Sequence, residues 1–232
     1  MSVIAGPYGI NLTFSVDAGN LKSYPGSGTT WIDSVSNNNL TSYNSPTYST
    51  NNGGIFNFVS ASSQYFAKVT TAGDSLDIST ALTLSVWFKA NSWPSFVYFV
   101  AKNINSGYGD HQYALNYDPG SGGVIVFQLG TASIVYTTFG TPINEWINII
   151  ATWNGTTATI YRNGTAVASG PVSGPLPFKP NFLISSRSTA ADISTIAYPI
   201  NGSIAQVQIG NVGISGAAAV QLFHAERGRF GI

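Results

Sequence analysis

The chain predicts an all-β fold, a sandwich of antiparallel strands forming one domain over residues 1–232, with one short helix near the C-terminus. Three observations predict it. Short runs that alternate apolar and polar residues, or that are rich in Val, Ile, Thr and aromatics, recur along the whole chain between Gly, Pro, Asn and Ser. The segment from Ile143 to Val167 brackets such runs with Asn154-Gly155 and Asn163-Gly164, dipeptides that tolerate positive φ at tight hairpin turns. A helical pattern with caps is found at a single place, and no linker of changed composition divides the strands.

The elements follow in order. Ile10 to Val16 alternates, with Ile10, Leu12, Phe14 and Val16 on one face. Lys22 to Asp33 is a long turn pinned by Trp31, and Ser34 to Gly54 is a polar surface excursion with a short strand near Leu40. Ile55 to Val59 and Tyr65 to Val69 are a hairpin or two strands of different sheets. Thr83 to Lys89 carries apolar groups on both faces, which marks a central strand. Phe96 to Lys102, Tyr113 to Tyr117, Val124 to Leu129 and Ile134 to Phe139 follow. Next come Trp146 to Trp153 and Thr156 to Arg162, the body of a three-stranded meander whose tryptophans are expected to pack. Phe182 to Ser185 and Ile204 to Ile209 complete the strands, the last with Ile204, Gln206 and Gln208 opposing Ala205, Val207 and Ile209. The helix spans Gly216 to Glu226, capped by Ser215, ended by Gly228, and facing the sheet through Val220 and Phe223.

Composition narrows the function. Charged residues make up 8% of the chain and the formal net charge is zero, so nucleic acid, which is bound through cationic surfaces, is not an expected partner. There is no cysteine, hence no disulfide framework and no thiolate metal site. No run approaches the roughly 20 apolar residues of a membrane span. The N-terminal MSVIAGPYGINLTF lacks a basic segment followed by an apolar core, so synthesis in the cytoplasm without a signal peptide is expected.

At FSVDAGNLKSYPGSGTTWID, ALTLSVWFKANS, EWINIIATWNGTTATIYRNGTAVA and GSIAQVQIGN, followed by the helix and GRFGI, the chain resembles the laminin-G-like group of the concanavalin A-like lectin/glucanase superfamily. The resemblance implies a jelly-roll sandwich of two curved antiparallel sheets, glycan binding on a concave face or at rim loops, and in some members a structural calcium ion. The pairing of DAGNLKSYPGSGTTW with a terminal GRFGI is similar to virion proteins of tailed bacteriophages. It implies a virion-surface module, a capsid decoration or part of a fibre, with other virion proteins, further copies of itself and host-surface glycans as partners. The uncharged surface and apolar tails also favour a homo-oligomer. A free-standing lectin and a glycan-cleaving enzyme are the alternatives. Asn57, where relatives often carry Asp, and Gly210-Asn211-Val212-Gly213 depart from the family pattern around its ion site.

Chemistry is sparse. Glycosidases need paired carboxylates, yet Glu145 and Glu226 are the only glutamates, and the close pair Asp74 and Asp77 reads as turn formation. His111 and His224 are the only histidines and have no metal spacing, so no catalytic residue is expected. For calcium, Asp17, Asn20 and Asp33 form the candidate set, since loop carboxylates and amides supply oxygen ligands. For glycans, Trp93, Tyr98, Tyr108, Tyr113, Tyr117 and Tyr136 lie in or beside loops and offer faces for a sugar ring. Arg162 is the candidate interface residue of the meander.

Overall fold

In the computed structural model, residues 9–105, 107 and 109–232 are described. Two eight-stranded antiparallel sheets pack face to face. The first sheet contains β1 (Leu12–Asp17), β4 (Thr47–Ser49), β5 (Ile55–Phe58), β7 (Leu82–Ser92), β12 (Ile147–Trp153), β13 (Thr157–Arg162), β14 (Thr165–Pro171) and β18 (Asn201–Gly210). Its order is β14-β13-β12-β7-β18-β5-β4, with β1 also pairing β18. The second contains β2 (Thr30–Trp31), β3 (Leu40–Tyr43), β6 (Tyr65–Val69), β8 (Val97–Asn103), β9 (His111–Asp118), β10 (Val124–Leu129), β11 (Ala132–Tyr136) and β15 (Asn181–Ile184). Its order is β11-β10-β9-β8-β15-β6-β3-β2. A small hairpin, β16 (Arg187–Ser188) with β17 (Ile196–Ala197), stands apart from both.

The predicted meander is β12-β13-β14, paired in antiparallel register. Asn163 and Gly164 both take positive φ, 48° and 78°, the requirement of a type I′ hairpin turn. β7 lies between β12 and β18, which explains its two apolar faces. β5 and β6 fall in different sheets, so the SASSQ segment between them crosses the sandwich. The inner faces meet in one core that includes Phe14, Trp31, Phe56, Phe66, Val86, Phe88, Phe99, Leu115, Phe127, Trp153 and Ile160.

The outer face of the first sheet is covered by α1 (Gly216–Glu226) and the 3₁₀ turn Arg227–Phe230. Trp87 stacks on Phe230 with centroids 4.0 Å apart, and Phe223, Trp146, Ile55 and Ala205 complete that cluster. Ser215 caps α1 by accepting a hydrogen bond from the Ala218 amide. The helix buries Ala219, Leu222 and Phe223, while Val220 is 39% exposed. Val220 therefore does not face the sheet, because Ala219 and Leu222 occupy that stripe. Gly228 lies inside the 3₁₀ turn, and the left-handed residue that ends it is Gly231, φ 74°.

β1 and β18 depart from regular alternation. In β1 the register shifts between Leu12 and Phe14, so Ile10 and Leu12 join the helix side while Phe14 and Val16 enter the core. In β18 it shifts between Ile204 and Gln206, so Ile204 shares the core with Val207 and Ile209, and Ala205 turns to Trp87 and Phe230. One extra residue in a strand reverses the faces beyond it.

Candidate functional site

The outer face of the second sheet carries a groove of about 580 Å³. Its floor comes from alternation in neighbouring strands. In β10, Ile125, Phe127 and Leu129 point into the core, leaving Val124, Val126 and Gln128 outward. In β9, Leu115 and Tyr117 point inward and Asn116 and Asp118 outward. Register places Val126 opposite Asn116, and Asn116 opposite Tyr98 of β8. β11 adds Ser133 and Val135.

Bulges complete the floor. His111 and Asn116 are five residues apart and would lie on opposite faces of a regular strand. The register shift between Lys102 and Asn103 returns His111 to the outer face. A second shift, between Tyr98 and Val100, keeps Phe99 and Val100 both in the core while Tyr98 and Ala101 face out.

The wall is aromatic and cationic. Arg187, on β16, and Tyr198, just after β17, lean over the floor with Phe96. Tyr198 sits in the left-handed region at φ 63°, a strained conformation for an aromatic residue, and its carbonyl accepts the Tyr98 amide. The Arg187 guanidinium lies 5.2 Å from the ring centroids of both Tyr98 and Tyr198, contacts worth about 0.5–2 kcal/mol each. Tyr98 also stacks on His111, 5.6 Å apart and 4° from parallel.

Burial sets the protonation of this group. Desolvation, reinforced by the Arg187 charge, holds His111 down to about 4, so its ring is neutral at physiological pH. Burial pushes the Tyr98 phenol up, against the pull of Arg187. Arg187 is only 8% exposed, and no ion pair among the described residues includes it; those pairs are Arg162–Glu145, Lys179–Asp110 and Arg229–Asp17.

Of the aromatic candidates among the described residues, only Tyr98 is brought to the groove. Tyr113 is fully buried and donates to the Leu76 carbonyl. Tyr117 and Tyr136 belong to the core between the sheets. Trp93 packs among Phe88, Phe99, Tyr117 and Phe139, and its indole donates to the Pro142 carbonyl. These four are packing residues because the loops beside them fold over the open ends of the core. Tyr108 lies outside the described residues. Trp87, Trp146 and Trp153 are buried, as expected. Arg162 pairs with Glu145 at 3.6 Å and covers the Phe139 ring. Tyr198, Arg187, Asn116, Gln128 and Val126 were not singled out by sequence; for the floor residues the available signal was outward-facing alternation in adjacent strands.

The calcium set does not come together as a cation site. Asp17 is neutralised by Arg229 at 2.7 Å and also accepts the Gly19 amide. Asp33 accepts from the amides of Ser15, Val35, Ser36 and Asn38 and from the Ser36 hydroxyl. Asn20 accepts the Lys22 amide. Asp17 Oδ1, Asn20 Oδ1 and both Asp33 oxygens are committed to structural donors, and no cluster of three His, Cys, Asp or Glu able to hold a metal occurs among the described residues. The three residues do not fit calcium as a set.

The described residues include no helix long and apolar enough to cross a membrane. The family described as the concanavalin A-like lectin/glucanases superfamily matches residues 60–218. The chain belongs to this superfamily. No curated protein sequence matches it. Among solved structures, the domain is similar to Trypanosoma rangeli sialidase in complex with 2,3-difluoro-KDN, at 14% identity and TM-score 0.66, over 94% of this chain and 33% of the sialidase. It is similar to domain 4 of AbnA, a GH43 extracellular arabinanase from Geobacillus stearothermophilus solved with arabinotriose, at 15% identity and TM-score 0.63, over 91% and 97% of the two chains. It is also similar to the binding domain of botulinum neurotoxin serotype C1, at 17% identity and TM-score 0.66, over 93% and 52%. The superfamily fold is a lectin-type, glycan-binding fold, and this chain spans about a third of the sialidase.

Proposed function

We propose that this chain is a non-enzymatic glycan-binding module whose ligand lies in the groove on the outer face of the second sheet. The observation that carries the reading is the groove itself: about 580 Å³, with an aliphatic floor, buried amides and Tyr98 and Tyr198 at one side. Sugar sites combine aromatic or apolar faces with a few placed polar groups in pockets of roughly this size. The similarity to domain 4 of AbnA, solved with arabinotriose, supports it. Among its described lining residues the groove has one carboxylate, Asp118, and a neutral His111, whereas most glycoside hydrolases use a pair of carboxylates.

We further propose that the module sits on a bacteriophage virion surface, bound to other virion proteins and to copies of itself. The two sequence pieces behind that reading meet in space, since Arg229 of GRFGI pairs with Asp17 of the DAGN turn and bonds the Asn52 carbonyl.

A glycan array followed by calorimetry tests the groove. Binding by the native chain, lost in Val135→Trp at unchanged melting temperature, is expected, because Val135 is a 38% exposed lining residue. Unchanged binding in Val135→Trp refutes the site, and release of reducing ends from any bound glycan refutes the non-enzymatic reading. Detection of the chain in purified particles of a phage encoding it supports the virion role; its absence from them refutes it.

A further inference from the structure

We propose that the groove selects a sugar bearing a carboxylate, with Arg187 as the residue that receives it. The inference rests on the glycan-binding reading and names its ligand class.

The argument starts from an uncompensated charge. Arg187 is 8% exposed and faces no carboxylate at ion-pair distance among the described residues. Buried cations are normally paired, because leaving water is costly and a lone charge recovers little of that cost. Here the guanidinium lies instead beside two mutually stacked rings, Tyr98 and Tyr198, 5.2 Å from each centroid. The aromatic contacts leave the guanidinium N–H groups as donors. No hydrogen bond from its side chain to any described residue satisfies those donors, and Nε is buried without a partner. A guanidinium edge matches a planar carboxylate through two parallel hydrogen bonds.

The surroundings point to the rest of the ligand. Buried polar atoms without partners on other lining residues are both ring nitrogens of His111, Oδ1 of Asn116 and Oε1 of Gln128. All belong to neutral groups, and hydroxyl groups of a sugar ring complement them. One buried cation among neutral groups suits a single negative charge. The remaining charged lining residue, Asp118, accepts the Gly120 amide at the far end of β9 from His111, where it would repel a second anionic group. Val124, Val126 and Val135 supply the aliphatic floor beneath the ring.

The test compares acids with their neutral counterparts on the native protein, so that it does not depend on a variant folding. Calorimetry would use galacturonic acid against its methyl ester, and sialyllactose against lactose, which separates a uronic from a sialic acid source. Binding of at least one acid, with its neutral counterpart about ten- to a hundredfold weaker, is expected for a charge-assisted pair. Arg187→Lys, which keeps the charge without the planar fork, is expected to lose about tenfold for the acid at little change for neutral sugars. Equal affinity for acid and neutral forms overturns the carboxylate assignment and leaves the glycan groove standing. Selective binding that survives in folded Arg187→Lys and Arg187→Met places the anion elsewhere and overturns the role of Arg187. Failure of every acid on the panel, with neutral glycans bound through the groove, overturns this inference alone; failure of all glycans overturns the underlying reading as well.

Discussion

Glu226 closes α1 over the first sheet, and its carboxylate Oε2 accepts the Trp87 indole N–H at 2.6 Å. Burial, more than any other influence, pushes this carboxyl up from 4.5 to about 7; hydrogen bonds from Trp87 and Gln206 and the Arg229 charge oppose the shift, and Asp17 adds to it. A raised carboxyl stabilises the fold through its protonated form. The contribution is fully present below the unfolded-chain value of 4.5 and is lost as pH rises through about 7. At about 1.36 kcal/mol per pH unit the full interval is worth about 3 kcal/mol. Residual solvent contact at the helix end reduces this to about 1–2 kcal/mol. Glu226→Gln keeps an acceptor for Trp87 and cannot ionise. Calorimetric melting is expected to coincide for the two proteins at pH 4.5, with the variant about 2–8 °C more stable at pH 8, since 1 kcal/mol moves a domain of this size by about 2–4 °C. A difference that stays constant with pH, or a variant that becomes relatively less stable at pH 8, would refute the assigned cause.

Three further outcomes follow from neighbouring features. His111, held down to about 4 by burial, is expected to show no imidazole titration by NMR above about pH 5; because its folded value is depressed, its contribution to stability is complete above about 6.5 and falls as pH drops towards 4. Arg229→Met removes the Asp17 pair and the bonds to the Asn52 and Gly54 carbonyls, and denaturant unfolding should register a loss of about 1–3 kcal/mol; a loss under about 0.5 kcal/mol would mean that the C-terminal segment is not held there. Millimolar calcium, compared with chelator, is expected to leave the melting temperature unchanged, because Arg229 already neutralises Asp17 and both Asp33 oxygens are committed; a rise of several degrees would count against that assignment.

Where a strand is regular, its sequence is enough to orient it. The β12-β13 hairpin of the meander alternates, and β10 divides Ile125, Phe127 and Leu129 from Val124, Val126 and Gln128 without exception. The single helix announces itself through Ser215 and its alanine-rich interior. What alternation cannot carry is the bulge, because an added residue bears no compositional mark and yet inverts every side chain beyond it. Ile10 and Leu12, Ile204, and His111 all change face for this reason. The groove depends on two such irregularities, so Tyr98 was reachable from sequence while its partners were not.

The aromatic candidates show the complementary problem. A chain with 5 Trp, 12 Tyr and 13 Phe fills its core with them, and a tyrosine next to a loop most often caps that core, as Tyr117 and Tyr136 do. Cations are a sharper signal here, since the chain has only 9 Lys and Arg. Several have specific work within the fold: Arg229 ties the C-terminus to Asp17, Arg162 pairs with Glu145, and Lys102 is buried against the Thr70 hydroxyl and the Lys179 carbonyl. Arg187, 8% exposed, has aromatic rings for company and no acceptor among the described residues. A protein that uses so few charges and leaves one of them desolvated beside a groove has a charge whose partner is expected from outside the fold, and that places the functional weight on Arg187 more than on any aromatic side chain around it.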